Sequence, residues 1–455
     1  MRPLSRIRAR LGDFWWYSAL LFVAFRLGDV VNAFIGLWLV PKFVPQEELG
    51  AVLPLTQFAA SLALPVSVFA MAFQKHLNVL SMQGRRGQVK TLLRGVFIAM
   101  AVLVAVGVGI SRLTMGPILE RLRVQEGALG LLIIASGLIT AAGPVYQNAL
   151  QALKRFNALT VMTLLCAPIR LVVMVATIPL RALSAYFAAQ TASGLWSIVC
   201  CVFSLRRDLG RSVRAEPYWT RENLRSFARY AGLVLLYYLA NLSVFVEVLI
   251  IRQRLPASDS AAYYMMSRFA EIGTYLGATL LAIVFPFASE SSVRGDGPRR
   301  LVLRSVVGTL GFGLLVALAF ACTGGWLLSL VPGGGAMPDA GGRLAFLTVC
   351  MALGAAANVG VVGDIAADRF GFLRWFLPLH ALYAGALLFV TGYGYFTAWL
   401  PPEAVALLKH VNGLGLPWVL AAMFGFNLLK LLMVLGGAAR DTCGRPAAVG
   451  ISKGV

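Results

Sequence analysis

Arginine interrupts three apolar stretches of this chain that otherwise have the composition of lipid-facing segments. Arg26, Arg170 and Arg268 each lie within a run of predominantly apolar residues. A cation near the centre of a bilayer costs about 2.5–3.5 kcal/mol on insertion scales, so it is rarely kept there without a partner or a task. Three such residues suggest that the protein receives an anionic group within a membrane.

Two of these arginines have an acid on the same helical face. Asp29 follows Arg26 by three residues, and Glu271 follows Arg268 by three residues. Residues at this spacing are neighbours on a helix. Asn32 extends the first set into a polar face about 120° wide. Each face is either the wall of a polar cavity or a self-neutralised ion pair, and snorkelling to the outer surface is a further alternative for Arg268.

Arg170 differs because no acid lies within four positions of it. It follows Pro168, which frees a backbone carbonyl and can bend the helix. Its partner is a bound anion or a group on another helix, unless the side chain snorkels outward. Two further acids in apolar runs, Glu247 and Asp364, either have a structural role or carry a coupling proton or cation.

The sequence contains no arrangement typical of an enzyme or a metal site. The three histidines are far apart, and the cysteines lack metal-ligand spacing, which favours packing roles for them. The loops have no paired acids of the kind that metal-dependent glycosyltransferases use, and no nucleotide-binding sequence occurs. We therefore expect no catalytic residue, no bound metal and no cofactor.

The composition indicates that these residues belong to a polytopic membrane protein. Hydrophobic residues make up 59% of the 455 residues, and charged residues make up only 13%. Soluble domains carry about 25% charged residues. We predict twelve apolar spans, each long enough to cross a bilayer as a helix. They are residues 15–40, 50–72, 94–116, 127–151, 158–180, 183–205, 230–251, 262–288, 305–331, 344–366, 373–398 and 413–437.

The net charge of +21 is explained by membrane topology. In a soluble protein it would suggest nucleic acid as a partner. Here roughly three quarters of the basic residues in loops fall on one side when the N-terminus is placed inside. Both termini are therefore expected in the cytoplasm, and nucleic acid is not expected as a partner.

A weak internal repeat divides the chain into halves. Two segments align without a gap at an offset of 211 residues, joining the hairpin of spans one and two to that of spans seven and eight. An even shift of six spans preserves orientation, which predicts parallel repeats with a substrate site between them. We expect an N-terminal bundle at 1–205, a cytoplasmic linker with room for an interfacial helix at 206–229, and a C-terminal bundle and tail at 230–455.

Four segments carry a resemblance to a known family. The segment 40–50, with Pro45, Glu47 and Glu48 before Gly50, resembles the "PEEfG" signature between the first two helices of Wzx-type polysaccharide flippases. Segments 151–156, 168–171 and 247–286 resemble later motifs of that family. These motifs cover most of the first 300 residues. Departures are a Glu at 247 where many members have Asp, and a Leu at 49 where an aromatic residue is usual.

This family belongs to the multidrug/oligosaccharidyl-lipid/polysaccharide exporter superfamily, which also holds the MATE exporters and the lipid II flippases. The resemblance implies an all-α membrane protein with about twelve transmembrane helices in two six-helix bundles, arranged in a V and working by alternating access. The expected location is the bacterial inner membrane. Expected partners are membrane lipids and the glycosyltransferases and glycan polymerase of the same pathway.

The resemblance also implies a cargo and its contacts. The cargo would be a polyprenyl-diphosphate-linked oligosaccharide, moved from the cytoplasmic to the outer leaflet. Arg26, Arg170 and Arg268 would contact the diphosphate. Polar cavity or coupling roles would fall to five other side chains, namely Asp29, Asn32, Glu247, Glu271 and Asp364.

Three alternatives remain open from the sequence. A MATE-like exporter of small molecules would use acids for cation coupling. A membrane glycosyltransferase or polymerase would need an external catalytic loop, and the outer loops are short. A scaffold for a glycan-assembly complex would not transport at all.

Overall fold

A computed structural model describes most of the chain. The described residues are 2–44, 49, 52–62, 64–121, 127–179, 182–208, 214–254, 257–294, 298–331, 339–392 and 400–440. The secondary structure within these ranges is helical, and they contain no strand. In lipid, a helix satisfies the hydrogen bonds of its own backbone, so long apolar segments fold in this way.

The N-terminal half begins with α1, which continues through a π-helical turn (Ile35–Leu39) into the short α2. The helices α3 and α4 lie at an angle of 48° to each other. The helices of this half are α1 (Arg2–Phe34), α2 (Val40–Phe43), α3 (Val52–Leu62), α4 (Leu64–Met82), α5 (Arg86–Arg121), α6 (Gly127–Ala152), α7 (Phe156–Thr177) and α8 (Ala182–Asp208).

The C-terminal half begins with α9. A 3₁₀ turn (Glu271–Thr274) joins α10 to α11. The helices of this half are α9 (Arg221–Arg254), α10 (Ala257–Ala270), α11 (Tyr275–Arg294), α12 (Arg299–Ser329), α13 (Ala340–Ala366), α14 (Leu373–Thr391), α15 (Pro402–Gly413) and α16 (Leu416–Arg440).

The helices have the length and apolarity of membrane spans. Among the described residues, nine helices are long and apolar enough to cross a membrane, and there are ten if the bent pair α3–α4 is counted as one span. The predicted spans at 94–116 and 127–151 fall on α5 and α6, whose side chains are only partly described. Val172, Leu315 and Leu382 expose 67%, 67% and 71% of their surface, as expected for side chains that face lipid.

The helix packing follows the same pattern in the two halves. In the N-terminal half, α1 packs on α7, α4 on α6, and α6 on α8. The C-terminal half repeats these contacts as α9 on α14, α11 on α13, and α13 on α16. The halves meet where α1 packs on α11 and where α4 packs on α9. Because α1 corresponds to α9 and α4 corresponds to α11, these two contacts are equivalent under a two-fold relation between the halves.

The predicted linker, 206–229, has three described parts. It comprises the end of α8 at Asp208, a segment without helix at 214–220, and the first residues of α9 from Arg221. Residues 209–213 lie outside the described ranges.

The segment 214–220 is held against the N-terminal half. The backbone carbonyl of Glu216 accepts a hydrogen bond from Thr91 on α5, at 2.7 Å. The buried Tyr218 hydroxyl lies 2.7 Å from Nδ1 of His76 on α4. Burial raises the pKa of the Tyr218 phenol above its usual value, so it stays protonated at physiological pH. The linker is therefore anchored to one half.

Two ion pairs join the halves at the end of the bundle that the charge bias assigns to the cytoplasm. Lys75 on α4 lies 2.9 Å from the Asp368 carboxylate, and its ammonium group also donates to the carbonyl of Ala366 at 2.7 Å. Lys154, after α6, lies 2.8 Å from the Glu290 carboxylate on α11. These contacts hold the two halves together at that end.

Candidate functional site

A polar cavity lies between the two halves. It has a volume of about 130 Å³ and is bounded by α1, α7 and α8 from one half, and by α10 and α11 from the other. The polar residues that line it are Asp29, Asn32, Arg170, Tyr186, Gln190, Tyr264, Arg268, Glu271 and Tyr275. Five of the eight residues singled out in the sequence therefore line one cavity, and Arg26 contacts the lining residues Asp29 and Tyr275.

Arg26 reaches from α1 across to the C-terminal half. Its guanidinium group forms an ion pair with Asp29 at 2.8 Å. It also donates to the backbone carbonyl of Tyr275 at 3.2 Å and to the hydroxyl of Thr279 at 3.3 Å. The guanidinium carbon lies 4.0 Å from the centre of the Tyr275 ring, within cation–π distance. Arg26 thus pairs locally and also contacts the other half.

Arg268, near the end of α10, lies on the C-terminal side of the cavity. It forms an ion pair with Glu271 at 2.9 Å, and its guanidinium carbon lies 5.3 Å from the centre of the Tyr264 ring. The Tyr264 hydroxyl donates to the carbonyl of Gly36 on the other half at 3.1 Å. The side chain is mostly buried, with 18% exposed, so it does not snorkel to the surface.

Both helices that meet at the cavity depart from α-helical geometry beside it. The π-helical turn after α1 contains Gly36, and the 3₁₀ turn before α11 begins at Glu271. Non-α turns within long helices are frequent at functional sites and hinges. The backbone is therefore irregular at the point where the halves meet around the arginines.

Among the described residues, the partners of Arg170 are all neutral. Its Nη1 donates to Oδ1 of Asn32 at 2.8 Å, and its Nε and Nη2 donate to the hydroxyl of Ser193 at 3.3 and 3.2 Å. It forms no ion pair with a described carboxylate. The inter-helix partners anticipated for Arg170 are thus an amide and a hydroxyl, and its charge is uncompensated by direct contact.

The cavity therefore combines positive charge with aromatic surface. In the lining, Arg170 and Arg268 balance the charges of Asp29 and Glu271. Arg26, which pairs with Asp29 at the edge of the cavity, brings the formal net charge of this cluster to +1. Tyr186, Tyr264 and Tyr275 add ring faces and hydroxyl groups to its wall. Such a lining has the chemistry to bind an anionic group joined to a polar, ring-shaped molecule.

Four polar lining residues were not predicted from the sequence, namely Tyr186, Gln190, Tyr264 and Tyr275. Tyr264, Arg268, Glu271 and Tyr275 follow one another at spacings of four, three and four residues, which places them on one helical face. That pattern was readable in the sequence. Ser193 carried no comparable signal, because its contact with Arg170 depends on how α7 packs on α8.

Glu247 lies outside the cavity, within the C-terminal half. Only 2% of its surface is exposed. Its two carboxylate oxygens accept hydrogen bonds from the hydroxyl groups of Tyr263 and Tyr383, at 2.7 and 2.6 Å. These bonds join α9 to α10 and α14, which is a packing contact between helices of one half.

Asp364 also lies outside the cavity. It is on the last turn of α13 and borders a pocket of about 50 Å³ together with Arg299 and Arg369. Its backbone carbonyl accepts the N–H of Arg369 at 2.8 Å. This position is near the Lys75–Asp368 ion pair, away from the three arginines.

Solved transporters share this fold. A mutant of the Vibrio cholerae MATE transporter VcmN superposes with a TM-score of 0.65 at 15% identity, over 98% of this chain and 99% of that chain. A MOP superfamily transporter from Pyrococcus furiosus gives 0.67 at 12% identity, over 96% and 98%. An outward-facing multidrug resistance MATE family transporter gives 0.64 at 14% identity, over 96% and 98%.

No family model and no curated protein sequence matches the chain. The structural likeness extends over nearly the whole length of both partners, and the apolar helices are those of a membrane protein. The chain is therefore a multi-pass membrane protein with the fold of the MATE transporters.

Proposed function

We propose that the protein is a flippase for a polyprenyl-diphosphate-linked oligosaccharide in polysaccharide export. It would move this cargo from the cytoplasmic to the outer leaflet of a bacterial inner membrane by alternating access. The observation that carries the proposal is the cavity between the halves, where Arg170 has no carboxylate partner among the described residues. Its partners in the pathway would be the enzymes that assemble and polymerise the glycan.

The arginines retain donors for a diphosphate. Nε of Arg26 and Nε of Arg268 are buried without a hydrogen-bond partner among the described residues. A buried donor left unpaired costs about 1–3 kcal/mol, and an anionic oxygen would relieve this cost. Arginine is well suited to phosphate because its planar fork of donors allows two parallel hydrogen bonds.

The sugars and the lipid chain of the cargo would contact different parts of the protein and membrane. The tyrosine rings and Gln190 would face the sugars, and the lipid chain would stay in the bilayer beside the helices. An inside-negative membrane potential favours outward movement of negative charge by about 2.3 kcal/mol per charge per 100 mV. The potential would therefore assist transport without a coupling ion.

The second candidate is a MATE-like, cation-coupled exporter of small molecules. The fold favours it equally, and the buried Glu247 carboxylate, which has no basic partner among the described residues, is suited to binding a proton or cation. The positive cavity disfavours it, because cationic cargo would be repelled. A transporter of this fold can differ in the charge of its pocket, since the Pyrococcus furiosus transporter is described as having a binding pocket of reverse polarity that suggests a different function.

Charge reversal at the cavity tests the proposal. We expect Arg170→Glu and Arg26→Glu to abolish appearance of lipid-linked oligosaccharide in the outer leaflet of reconstituted vesicles. Arg304→Glu, at an exposed site on α12, is the matched control and should keep transport. Gel filtration and thermal unfolding would show that each variant folds. Unchanged transport in both cavity variants would refute the diphosphate assignment, and export of cationic drugs by the wild type would support the second candidate.

A further inference from the structure

A second pocket lies at the inner ends of the N-terminal half, well away from the arginine cavity. It has a volume of about 330 Å³ and is bordered by the turn between α4 and α5 and the turn between α6 and α7. Its lining residues are Leu80, Ser81, Gly84, Arg86, Val89, Leu153 and Arg155. The volume falls within the range of small-molecule sites.

The two turns that form this pocket have the same backbone. Arg85 N–H bonds to the carbonyl of Leu80 at 3.1 Å, and Arg155 N–H bonds to the carbonyl of Leu150 at 2.7 Å. The residue before each arginine has a positive φ, at Gly84 and Lys154. These are Schellman turns, which reverse the chain tightly at the end of a helix. The backbone of each turn is therefore fixed by its own hydrogen bonds.

The pocket has both apolar and basic lining residues. Leu80 and Val89 are each only 5% exposed and, together with Leu153, form its apolar part. Arg86 and Arg155 add two guanidinium groups, and no acid is among the lining residues. The positive-inside bias accounts for basic residues in these loops, but it does not require two of them to border one cavity.

We propose that this pocket binds the phosphate-bearing headgroup of an anionic lipid from the cytoplasmic leaflet. The two guanidinium groups would hold the phosphate, and the glycerol region would pack against Leu80, Val89 and Leu153. Basic pockets between transmembrane helices on the cytoplasmic side are suited to such headgroups. The neighbouring Lys154 carries the ion pair to Glu290, so an occupied pocket would also steady one contact between the halves.

Lipid-dependent thermal stability tests this site. The purified full-length chain in detergent would be titrated with phosphatidylglycerol, with phosphatidylcholine, and with inorganic phosphate. We expect phosphatidylglycerol to raise the unfolding temperature, with little effect from the other two. The double variant Arg86→Gln/Arg155→Gln should weaken the apparent affinity by at least about fivefold for each arginine removed.

The matched control is Arg300→Gln/Arg304→Gln, which removes two exposed arginines from α12 in the other half. It should keep the response to phosphatidylglycerol. Equal losses in both double variants would overturn the proposal in favour of general surface charge. An equal response to inorganic phosphate would overturn the lipid assignment. If the glutamine variant does not fold, Arg86→Lys/Arg155→Lys keeps the charge, and a wild-type response to lipid in it would refute the need for paired guanidinium donors.

Discussion

Lys154 and Asp368 occupy equivalent left-handed positions in the two halves, and each forms an ion pair with the opposite half. Their φ angles are 54° and 60°. Lys154 follows α6 and pairs with Glu290 on α11, whereas Asp368 follows α13 and pairs with Lys75 on α4. The repeat relates α6 to α13 and α4 to α11. The two ion pairs are thus related by the pseudo-two-fold axis, with their charges reversed.

This arrangement has an energetic cost. A residue with a side chain in the left-handed region costs about 1–2 kcal/mol, and glycine usually occupies such positions. Gly84 does so in the equivalent turn after α4. Lys154 and Asp368 keep charged side chains there, and each uses its charge for an ion pair across the interface between the halves.

Because Lys154 has a left-handed backbone, we expect two substitutions that break its ion pair to change the free energy of unfolding differently. Lys154→Gly removes the pair but relieves the left-handed strain, so it should leave the free energy of unfolding unchanged or raise it by up to about 1 kcal/mol. Glu290→Gln breaks the pair without that relief and should lower the free energy slightly. Thermal unfolding of both variants measures this. A marked destabilisation by Lys154→Gly alone would contradict the strain argument.

The second ion pair should matter more, because its lysine is buried. The Lys75 side chain is 9% exposed, whereas the Lys154 side chain is 51% exposed. Asp368→Asn would leave a buried ammonium group without its counterion, at a cost of about 1–3 kcal/mol. We expect a larger drop in unfolding temperature than for Glu290→Gln.

Opening of the end that carries the two ion pairs is measurable at Ser289, which is fully buried on α11. A Ser289→Cys reporter should react faster with a membrane-impermeant maleimide when Asp368→Asn is present. Gly84→Ala, in the turn that carries no ion pair between the halves, is the control for general loosening. Equal maleimide rates with and without Asp368→Asn would argue against a closing role for the pair.

Asn32 offers a test of the cavity charge with minimal change of shape. Asn32→Asp places a carboxylate where an amide oxygen now lies 2.8 Å from Nη1 of Arg170. The cavity would lose its formal net positive charge, so transport of an anionic cargo should fall by at least about tenfold, equivalent to 1.4 kcal/mol. The unfolding temperature should not fall, because Arg170 gains an ion pair. Retained transport would show that the charge of Arg170 is dispensable.

We expect Glu247 to contribute to stability and not to transport, because its carboxylate is held by the hydroxyl groups of two tyrosines. Tyr263→Phe and Tyr383→Phe each remove one donor from a buried carboxylate and should cost about 1.5–3 kcal/mol of stability. Glu247→Gln should then keep transport under an imposed membrane potential. Loss of transport in a well-folded Glu247→Gln variant would instead favour the cation-coupled exporter.

The sequence by itself determined the local features of this protein. Hydropathy over some twenty residues predicted the spans, because a helix in lipid must be apolar along its length. Helical spacing predicted the Arg26–Asp29 and Arg268–Glu271 pairs, because residues three apart are neighbours on any helix. The offset between the halves predicted the parallel repeat.

Only the tertiary structure decided which of these features meet. It brought Arg170 to Asn32 and Ser193, and Arg26 to Tyr275, through packing between helices far apart in sequence. It placed Glu247 among tyrosines outside the cavity, which neither hydropathy nor spacing indicated. It also decided the ion-pair partners of the left-handed residues Lys154 and Asp368. These partners lie across the interface between the halves, and no local sequence pattern specifies such a contact.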